Sequence, residues 1–484
     1  MSNIPLENRP DISNFILSLR DIGYSLETAV ADIIDNSIAA DAKNIFIFVD
    51  PKQNQMAICD DGSGMNQDEL KIAMKLGSFS PEEEREKYDL GRFGLGLKTA
   101  SFSQCKKLSV ISQKDGVLNG FCWDLDYLKE QKDWIMKYAN PEYFINSEFY
   151  QFFQSKNNFT VVVWENIDRF ETENDFIEAI DILKDHLSLV FHRFMEGEKK
   201  RGINLYVNNR KLSPFNPFFK EHPATQERQT EKETIYGDDI YITPYILPHP
   251  SKVSEAEYKK YATRDGYQKS QGFYLYREGR LLIHGTWFRL HKQSEAHKLV
   301  RIKIDISNKL DKFWNIDVKK STASPSLLIK ETLQRIIRQI TEQGFRVYTS
   351  KGKIEKKNKL VDCFWDIKHA EGKIKFILNR NHPTYTLLKN EMDENSFNIF
   401  EKYISDIENY LPVEDIYARM MKNEKDIQQK ESINEDGIHQ MLQCLLNNHL
   451  SKEKIIEILC HAEGFSDKME LVEDYLGKHH ADAI

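Results

Sequence analysis

Cysteine is scarce in this sequence, and the six cysteines among its 484 residues form no CxxC pair. Zinc sites and disulfide frameworks usually show closely spaced cysteines, so neither is indicated and reduced thiols are expected. The sequence has no run of about 18 apolar residues, and its first residues, MSNIPLENRP, lack the charged and then apolar pattern of a signal peptide. It therefore predicts a cytoplasmic protein with no membrane partner.

An excess of positive charge is also missing. Asp and Glu number 75 against 67 Lys and Arg, and the net charge is -8. This balance excludes a uniformly basic nucleic-acid coat, although it is compatible with a local basic groove. The hydrophobic fraction of 40% and the charged fraction of 29% are typical of folded protein, and the length predicts about three domains.

The first predicted domain covers residues 1–215 and mixes helices with strands. Apolar residues recur at helical spacing from Ser25 to Ile38, with Ser25 as a candidate cap. Apolar β-forming runs predict strands at 45–49, 56–59, 108–112, 119–124 and 160–167, and a long helix follows at 175–195. This pattern predicts an α/β domain.

Two further regions follow. Residues 216–345 contain strand-like runs, among them 240–247 and 272–282, and predict a second, strand-rich α/β domain. The Lys-rich segment SKGKIEKKNK at 350–359 indicates the next boundary. Residues 346–484 are mainly helical in pattern, for example over 437–459, and their role is not indicated by any motif.

The first chemically informative segment is the pair Asp32 and Asn36 within ADIIDNS. Residues four apart share one face of a helix, so the carboxylate and the amide would look into one cavity while the apolar stripe packs inward. A carboxylate can polarise a water molecule, and an amide oxygen can ligate a magnesium ion that carries phosphates. The spacing therefore predicts a phosphate-proximal site on this helix.

The second segment is DDGSGM, from Asp60 to Met65, directly after the predicted strand at 56–59. A carboxylate at a strand end can accept a hydrogen bond from an exocyclic amine. Gly62 and Gly64 would let the backbone approach a flat base closely. Adenine fits this description, so the segment predicts a base pocket.

The third segment is GRFGLGLK, from Gly91 to Lys98, which opens a predicted helix at 99–103. Glycines before a helix start expose backbone N–H groups to an anion at the positive end of the helix dipole, and Lys98 adds charge. The glycine order is not the GxGxxG dinucleotide fingerprint, and GLKT lacks the contiguous GK[ST] of a P-loop. The segment predicts a phosphate-binding collar, preceded at 78–89 by a polar stretch typical of a mobile lid.

Each segment alone has an ordinary structural explanation: a solvated helix face, a strand-to-helix turn or a flexible glycine loop. Their order, however, resembles the GHKL ATPases, the group of gyrase B subunits, large heat-shock chaperones, sensor histidine kinases and MutL. Residues 20–112 are most similar to the MORC and MutL branch, and AVADIIDNSIAADA with DLGRFGLGLKTAS resembles prokaryotic MORC-like proteins associated with restriction and phage-defence operons. The resemblance implies an α+β chain: a GHKL (Bergerat) α/β sandwich ATPase domain, a βαβ transducer-like domain and a mainly helical C-terminal region.

The resemblance also implies a role for each matching residue. Asn36 would hold the Mg²⁺ that bridges the phosphates of ATP, and Asp60 would recognise adenine. Lys320 or Lys319, in WNIDVKKSTASP (314–325), would reach back from the transducer-like domain to the γ-phosphate. The other predicted nucleotide-binding residues shape the base pocket, close over the phosphates or support Asp60: Gly62, Gly64, Met65, Gly91, Gly94, Leu95, Gly96, Leu97, Lys98 and Thr160.

The predicted general base departs from the family pattern. The family usually has Glu four residues before the Asn, and here that place holds Asp32, whose side chain is one methylene shorter. Because a base must come within hydrogen-bond reach of its water, the shorter arm predicts slow hydrolysis. Asp35 and Glu27 are rival candidates, but Asp35 lies about 100° around the helix from Asn36 and Glu27 is more than a turn before Asp32.

The expected activity is that of a Mg-ATP-dependent conformational switch with ATPase activity. By resemblance, ATP would pair two copies into a homodimeric clamp. The clamp would act on DNA or recruit a nuclease, helicase or methylase partner in prokaryotic defence. The alternative is a chaperone-like or scaffold ATPase that remodels a protein client without DNA. Salt-dependent DNA binding with a non-hydrolysable ATP analogue distinguishes the two.

Overall fold

The computed structural model describes most of the chain, and it divides into two compact units, Met1–Gly352 and Lys353–Ile484. The described residues are 11–77, 96–139, 153–154, 156–198, 202–317, 322–349, 363–370, 373–416, 435–447, 450–462, 465 and 468–478. The first unit contains two sheets, each with its own core. The predicted three-way division at residues 215 and 345 stays a prediction.

The first sheet has eight strands in the order β5-β4-β3-β6-β2-β1-β7-β8. Its neighbouring strands are antiparallel except for the parallel pair β1 and β7. The strands are β1 (Asn44–Asp50), β2 (Gln55–Asp60), β3 (Cys105–Lys114), β4 (Val117–Asp124), β5 (Lys137–Tyr138), β6 (Phe159–Ile167), β7 (Asn204–Val207) and β8 (Arg210–Lys211). The predicted strands of this region are confirmed, including the hairpin of β1 and β2.

Both faces of this sheet are covered, as the uninterrupted apolar run in β6 shows. Val162 and Trp164 point into the main core with the helices, whereas Val161 and Val163 pack with Phe153 on the opposite face. Successive side chains of a strand point to opposite faces, so a run apolar at every position indicates burial on both. The helix layer and the sheet together form the α/β sandwich that the sequence predicts.

Seven helices accompany the first sheet within the described residues. They are α1 (Ile12–Arg20), α2 (Leu26–Ala39), α3 (Gln67–Met74), α4 (Gly96–Gln104), α5 (Leu125–Gln131), α6 (Glu173–Val190) and α7 (His192–Met195). The central one is α2, which buries Val30, Ile33 and Ile34 in the core and packs against α4. Ser25 occupies the cap position of α2, but its side chain makes no capping hydrogen bond. Burial of the apolar face therefore stabilises α2.

The second sheet follows the order β10-β11-β14-β12-β13, with β9 paired to β11. Its strands are β9 (Gln226–Glu227), β10 (Glu231–Ile235), β11 (Asp238–Ile246), β12 (Gly272–Arg277), β13 (Arg280–Thr286) and β14 (Val300–Ile306). The helices beside it are α8 (Glu255–Ala262), α9 (Gly266–Lys269), α10 (Asp311–Trp314) and α11 (Leu327–Thr349). The apolar side of α11 contributes Ile329, Leu333 and Ile336 to the core of this sheet.

The second unit combines one hairpin with helices. It contains β15 (Trp365–Ala370), β16 (Lys373–Leu378), α12 (Pro383–Glu391), α13 (Glu394–Asn409), α14 (Glu435–Asn447), α15 (Lys452–Leu459) and α16 (Met469–Lys478). Residues of α14, α15 and α16 share a separate apolar core. The mainly helical C-terminal region is thus confirmed. Among the described residues, no helix combines the length and the apolar character that crossing a membrane requires.

One predicted long helix is divided in two. The helix expected at 175–195 is interrupted at Phe191, where the backbone leaves helical geometry between α6 and α7. The stretch 437–459, predicted to be mainly helical, contains most of α14 and all of α15, and Ser451 caps α15 by accepting a hydrogen bond from the Lys454 N–H. Apolar periodicity continues across such a break, so it does not reveal the break by itself. The segments at 78–89 and 350–359 lie outside the described residues.

Candidate functional site

The predicted base-binding carboxylate, Asp60, is the last residue of β2 and is only 5% exposed. The Ser37 hydroxyl donates to its Oδ2 at 2.8 Å, and the Gly62 N–H donates to its Oδ1 at 3.0 Å. Burial raises the pKa of Asp60 to about 6, although these two hydrogen bonds act in the opposite direction. Each oxygen keeps a further acceptor position, so the carboxylate can accept a hydrogen bond from an exocyclic amine.

The two glycines after Asp60 occupy positions where a side chain would collide. A Cβ on Gly62 would lie 2.8 Å from the Ala40 carbonyl oxygen, and one on Gly64 would lie 1.9 Å from the Gln113 carbonyl oxygen. Gly64 also has φ +65, in the left-handed region. The turn after β2 is therefore pressed against the end of α2 on one side and against β3 on the other.

Thr160 lies directly opposite Asp60 in the register of β6 and β2. Its hydroxyl is 2.9 Å from the Ser112 hydroxyl, which in turn accepts a hydrogen bond from the Met65 N–H at 2.8 Å. Ser112 thus links Thr160 to the turn that contains Met65. Sequence reasoning missed both Ser112 and Ser37. An isolated serine in a strand or helix carries no signal, so only the strand pairing and helix packing could find them.

The opposite end of the candidate site is formed by α2 and the start of α4. Asp32 is 4% exposed, and its Oδ2 accepts a hydrogen bond from the Tyr24 hydroxyl at 3.0 Å. Burial and the charge of Asp32 raise the pKa of Tyr24, which keeps the phenol protonated as a donor. Asn36, one turn further along α2, is exposed. A Cβ on Gly96 would lie 3.7 Å from Asp32 Oδ2, so α4 begins beside this carboxylate.

The predicted phosphate collar is only partly within the described residues. Gly91, Gly94 and Leu95 lie outside them, whereas Gly96, Leu97 and Lys98 form the first turn of α4. The Lys98 ammonium is buried and donates to the Ala73 carbonyl oxygen at 2.8 Å. Burial lowers the pKa of Lys98 to about 8. The described turn supplies backbone N–H groups at a helix start, which is the chemistry an anion needs.

The second sheet reaches the same region through a residue that the sequence reasoning missed. Arg280, the first residue of β13, donates from Nε to Asp35 Oδ1 at 2.7 Å, and its Nη2 lies 3.9 Å from Asp32 Oδ1. A second acid on α2, Asp35, was the available signal for such a cation, because a buried carboxylate needs one.

The predicted γ-phosphate sensors, Lys319 and Lys320, lie outside the described residues. On either side of them in the sequence, the Asp317 Oδ1 accepts a hydrogen bond from the Thr322 N–H at 3.0 Å.

These residues fit a magnesium nucleotide. The buried Asp60 carboxylate suits the amine of a base, and the exposed Asn36 amide offers an oxygen ligand. Within the part of the chain that the structure describes, no three His, Cys, Asp or Glu side chains gather into a metal-binding cluster. A magnesium ion here would be shared between Asn36, phosphate oxygens and water, as is usual for this ion with nucleotides.

Comparison with known proteins agrees with this geometry. Residues 24–152 match the family model described as histidine kinase-, DNA gyrase B-, and HSP90-like ATPase. A stretch of 107 residues is 32% identical to the ATPase morc-1 of Caenorhabditis elegans, covering 22% of this chain and 12% of that protein. The matched stretch is thus a small part of that relative. The sequence of residues 24–152 therefore matches the family of histidine kinase-, DNA gyrase B-, and HSP90-like (GHKL) ATPases, and part of the chain is similar to a MORC ATPase.

Proposed function

We propose that this chain is a Mg-ATP-dependent conformational switch in which Asp60 binds adenine, Asn36 holds magnesium and Asp32 is the general base. The hydrogen bond from Ser37 to Asp60 is the observation that carries the proposal. Because Ser37 follows Asn36 directly on α2, the bond brings the base pocket and the magnesium ligand together. One nucleotide can therefore contact both.

The hydrolytic step follows from the position of Asp32. Its carboxylate accepts a hydrogen bond from Tyr24 and lies beside Gly96, the first residue of α4 and part of the predicted phosphate collar. From there it would orient a water molecule and accept its proton. Magnesium, when bound, neutralises phosphate charge and supports the leaving group. The aspartate arm is short, so we expect slow turnover.

Three substitutions on α2 test these roles. Asp32→Asn keeps ATP affinity but lowers phosphate release about 100-fold or more, because the amide cannot accept the proton. Asn36→Ala abolishes the gain in affinity that magnesium gives in calorimetry. Glu27→Gln, which removes another acid of the same helix, is the matched control and keeps full turnover. Normal hydrolysis by Asp32→Asn refutes the base assignment.

The proposed switch would act by pairing two copies of the chain, with DNA as one candidate target. We propose that ATP pairs two copies into a clamp that acts on DNA or recruits a nuclease, helicase or methylase partner in prokaryotic defence. The contact of Arg280 with α2 supports only the conformational part of this proposal, because it joins the second sheet to the helix of the nucleotide site. ATP can drive closure only as far as it binds the closed state better than the open one.

DNA binding tests the clamp. Fluorescence anisotropy with labelled duplex DNA should show binding in the presence of a non-hydrolysable ATP analogue, weakening as salt rises. Light scattering under the same conditions should show the mass of a dimer. A monomer that binds no DNA in any nucleotide state contradicts the clamp and favours a switch that remodels a protein client.

A further inference from the structure

Helix α2 carries two buried carboxylates three residues apart. Asp32 is 4% exposed and Asp35 is 1% exposed, although Asp is rarely buried so completely. A buried carboxylate is strongly unfavourable unless a cation or several hydrogen bonds compensate it. The proposed chemistry of α2 uses Asp32 alone, so the second acid and the origin of the compensating charge need an explanation.

The compensating charge comes from the second sheet. Arg280 donates from Nε to Asp35 Oδ1 at 2.7 Å, and its Nη2 lies 3.9 Å from Asp32 Oδ1. Its Nη1 donates to the Leu281 carbonyl oxygen at 3.3 Å. The guanidinium is itself buried and faces the ring of Phe191. One arginine therefore serves both acids, by a hydrogen bond to Asp35 and by charge to Asp32.

The hairpin that carries Arg280 is held firmly. Glu278 and Gly279 form the two-residue turn between β12 and β13, with φ values of 50 and 96, as the tight hairpin turn with two left-handed residues requires. Arg277, which pairs with Arg280 across the turn, forms a buried ion pair with Asp311 of α10 at 2.8 Å. The position of Arg280 thus follows that of the second sheet.

The neighbouring imidazole of His186 adds no second positive charge beside the guanidinium. Burial and the charge of Arg280 lower the pKa of the neighbouring His186 to about 3, so that imidazole stays neutral. The other oxygen of Asp32, Oδ2, accepts a hydrogen bond from the hydroxyl of Tyr24, which lies just before α2. The Asp32 carboxylate therefore lies between a donor from the nucleotide-binding domain and a cation from the second sheet.

We propose that Arg280 is a positioning residue for hydrolysis: through the carboxylates of Asp32 and Asp35 it ties the general base on α2 to the β12–β13 hairpin. This role rests on the proposed function, in which Asp32 is the base. Moving the second sheet would move the charge beside Asp32, so docking of that sheet sets the hydrolysis rate without contributing a contact to adenine.

Paired substitutions separate this role from a purely structural one. Arg280→Met removes the positive charge beside both acids and should lower the urea midpoint of unfolding. Adding Asp35→Leu removes one buried charge, so the double variant should regain most of that stability. Asp32 still lacks its cation in the double variant. Its fold is then sound, and any remaining defect in turnover reports on Asp32.

The readouts are the urea midpoint, the Mg-ATP dissociation constant from calorimetry and the rate of phosphate release. In the double variant, we expect affinity within about threefold of the wild type and turnover lower by about tenfold or more. Arg280→Lys keeps the charge but loses the planar fork, so its turnover should lie between those of the wild type and Arg280→Met. Wild-type turnover in the double variant, or equal turnover for Arg280→Lys and Arg280→Met, overturns the proposal.

A second ion pair between the helices beside the first sheet and the strands of the second sheet is the matched control. Arg193 of α7 forms an ion pair with Asp305 of β14 and a second one with Glu198 at 2.9 Å. The double variant Arg193→Met with Asp305→Leu should keep turnover within about twofold, because it leaves the α2 acids unchanged. A loss like that of the Arg280 variants overturns the specific role of Arg280. A wild-type protein that neither binds nor hydrolyses ATP overturns the proposed function, and the positioning role with it.

Discussion

Acidification should weaken ATP binding through one group, the Asp60 carboxyl. Burial raises its pKa from 3.8 to about 6, and the neighbouring charge of Asp61 acts in the same direction. The ionised carboxylate has only acceptor positions, so it can accept a hydrogen bond from the adenine amine. The protonated carboxyl carries an O–H donor that competes with this bond. Protonation therefore removes the acceptor that the adenine amine needs.

The size of the effect follows from the titration. With a pKa near 6, about half of the Asp60 carboxyls are ionised at pH 6 and about a tenth at pH 5. The ATP dissociation constant should thus rise about tenfold between pH 7.5 and pH 5, equivalent to about 1.4 kcal/mol. The effect of pH on the stability of the ligand-free fold has the opposite sign to its effect on ATP binding. Since the folded pKa is raised, Asp60 destabilises the fold progressively as the pH rises from about 4 to 6.

Calorimetry across this pH range is the assay, with Asp60→Asn as the control. The asparagine oxygen can still accept a hydrogen bond but does not titrate, so this variant records the titration of the ATP phosphates and of all other groups. Subtracting its profile leaves the contribution of Asp60. Superimposable profiles for the wild type and Asp60→Asn refute the assignment of Asp60 to the base.

Three further substitutions have distinct expected results. Tyr24→Phe removes the donor to Asp32, so ATP should bind as before while phosphate release slows about threefold to tenfold; unchanged release contradicts this role. Gly64→Ala places a methyl group 1.9 Å from the Gln113 carbonyl oxygen, so thermal melting should occur several degrees lower, and an unchanged melting temperature rules the clash out. Lys98→Met should weaken ATP about tenfold in calorimetry but leave adenosine within about twofold, whereas an equal loss for both ligands excludes a phosphate contact.

The parts of the fold that could be predicted from sequence are those with local causes. The strand β2 and the turn after it combine an apolar run with Asp60, Gly62 and Gly64, and the structure shows why each glycine is needed. Helix α2 likewise shows its apolar period directly in the sequence. These local signals are sufficient to locate Asp32, Asn36 and Asp60 on their elements.

The contacts that join distant segments could not be predicted. Arg280 and Asp35 are 245 residues apart in the chain, and the turn REGR resembles any other hairpin turn. Ser112 and Thr160 meet only because β3 pairs with β6 in one register. Such pairs depend on which strands become neighbours, and a single sequence carries no direct signal for that.

A crystal structure with magnesium and a non-hydrolysable ATP analogue would show the whole nucleotide pocket at once. We expect the adenine amine within hydrogen-bond distance of the Asp60 carboxylate and a magnesium ion about 2.1 Å from the Asn36 side-chain oxygen. A base bound away from Asp60, or a magnesium ion held without Asn36, would contradict this expectation.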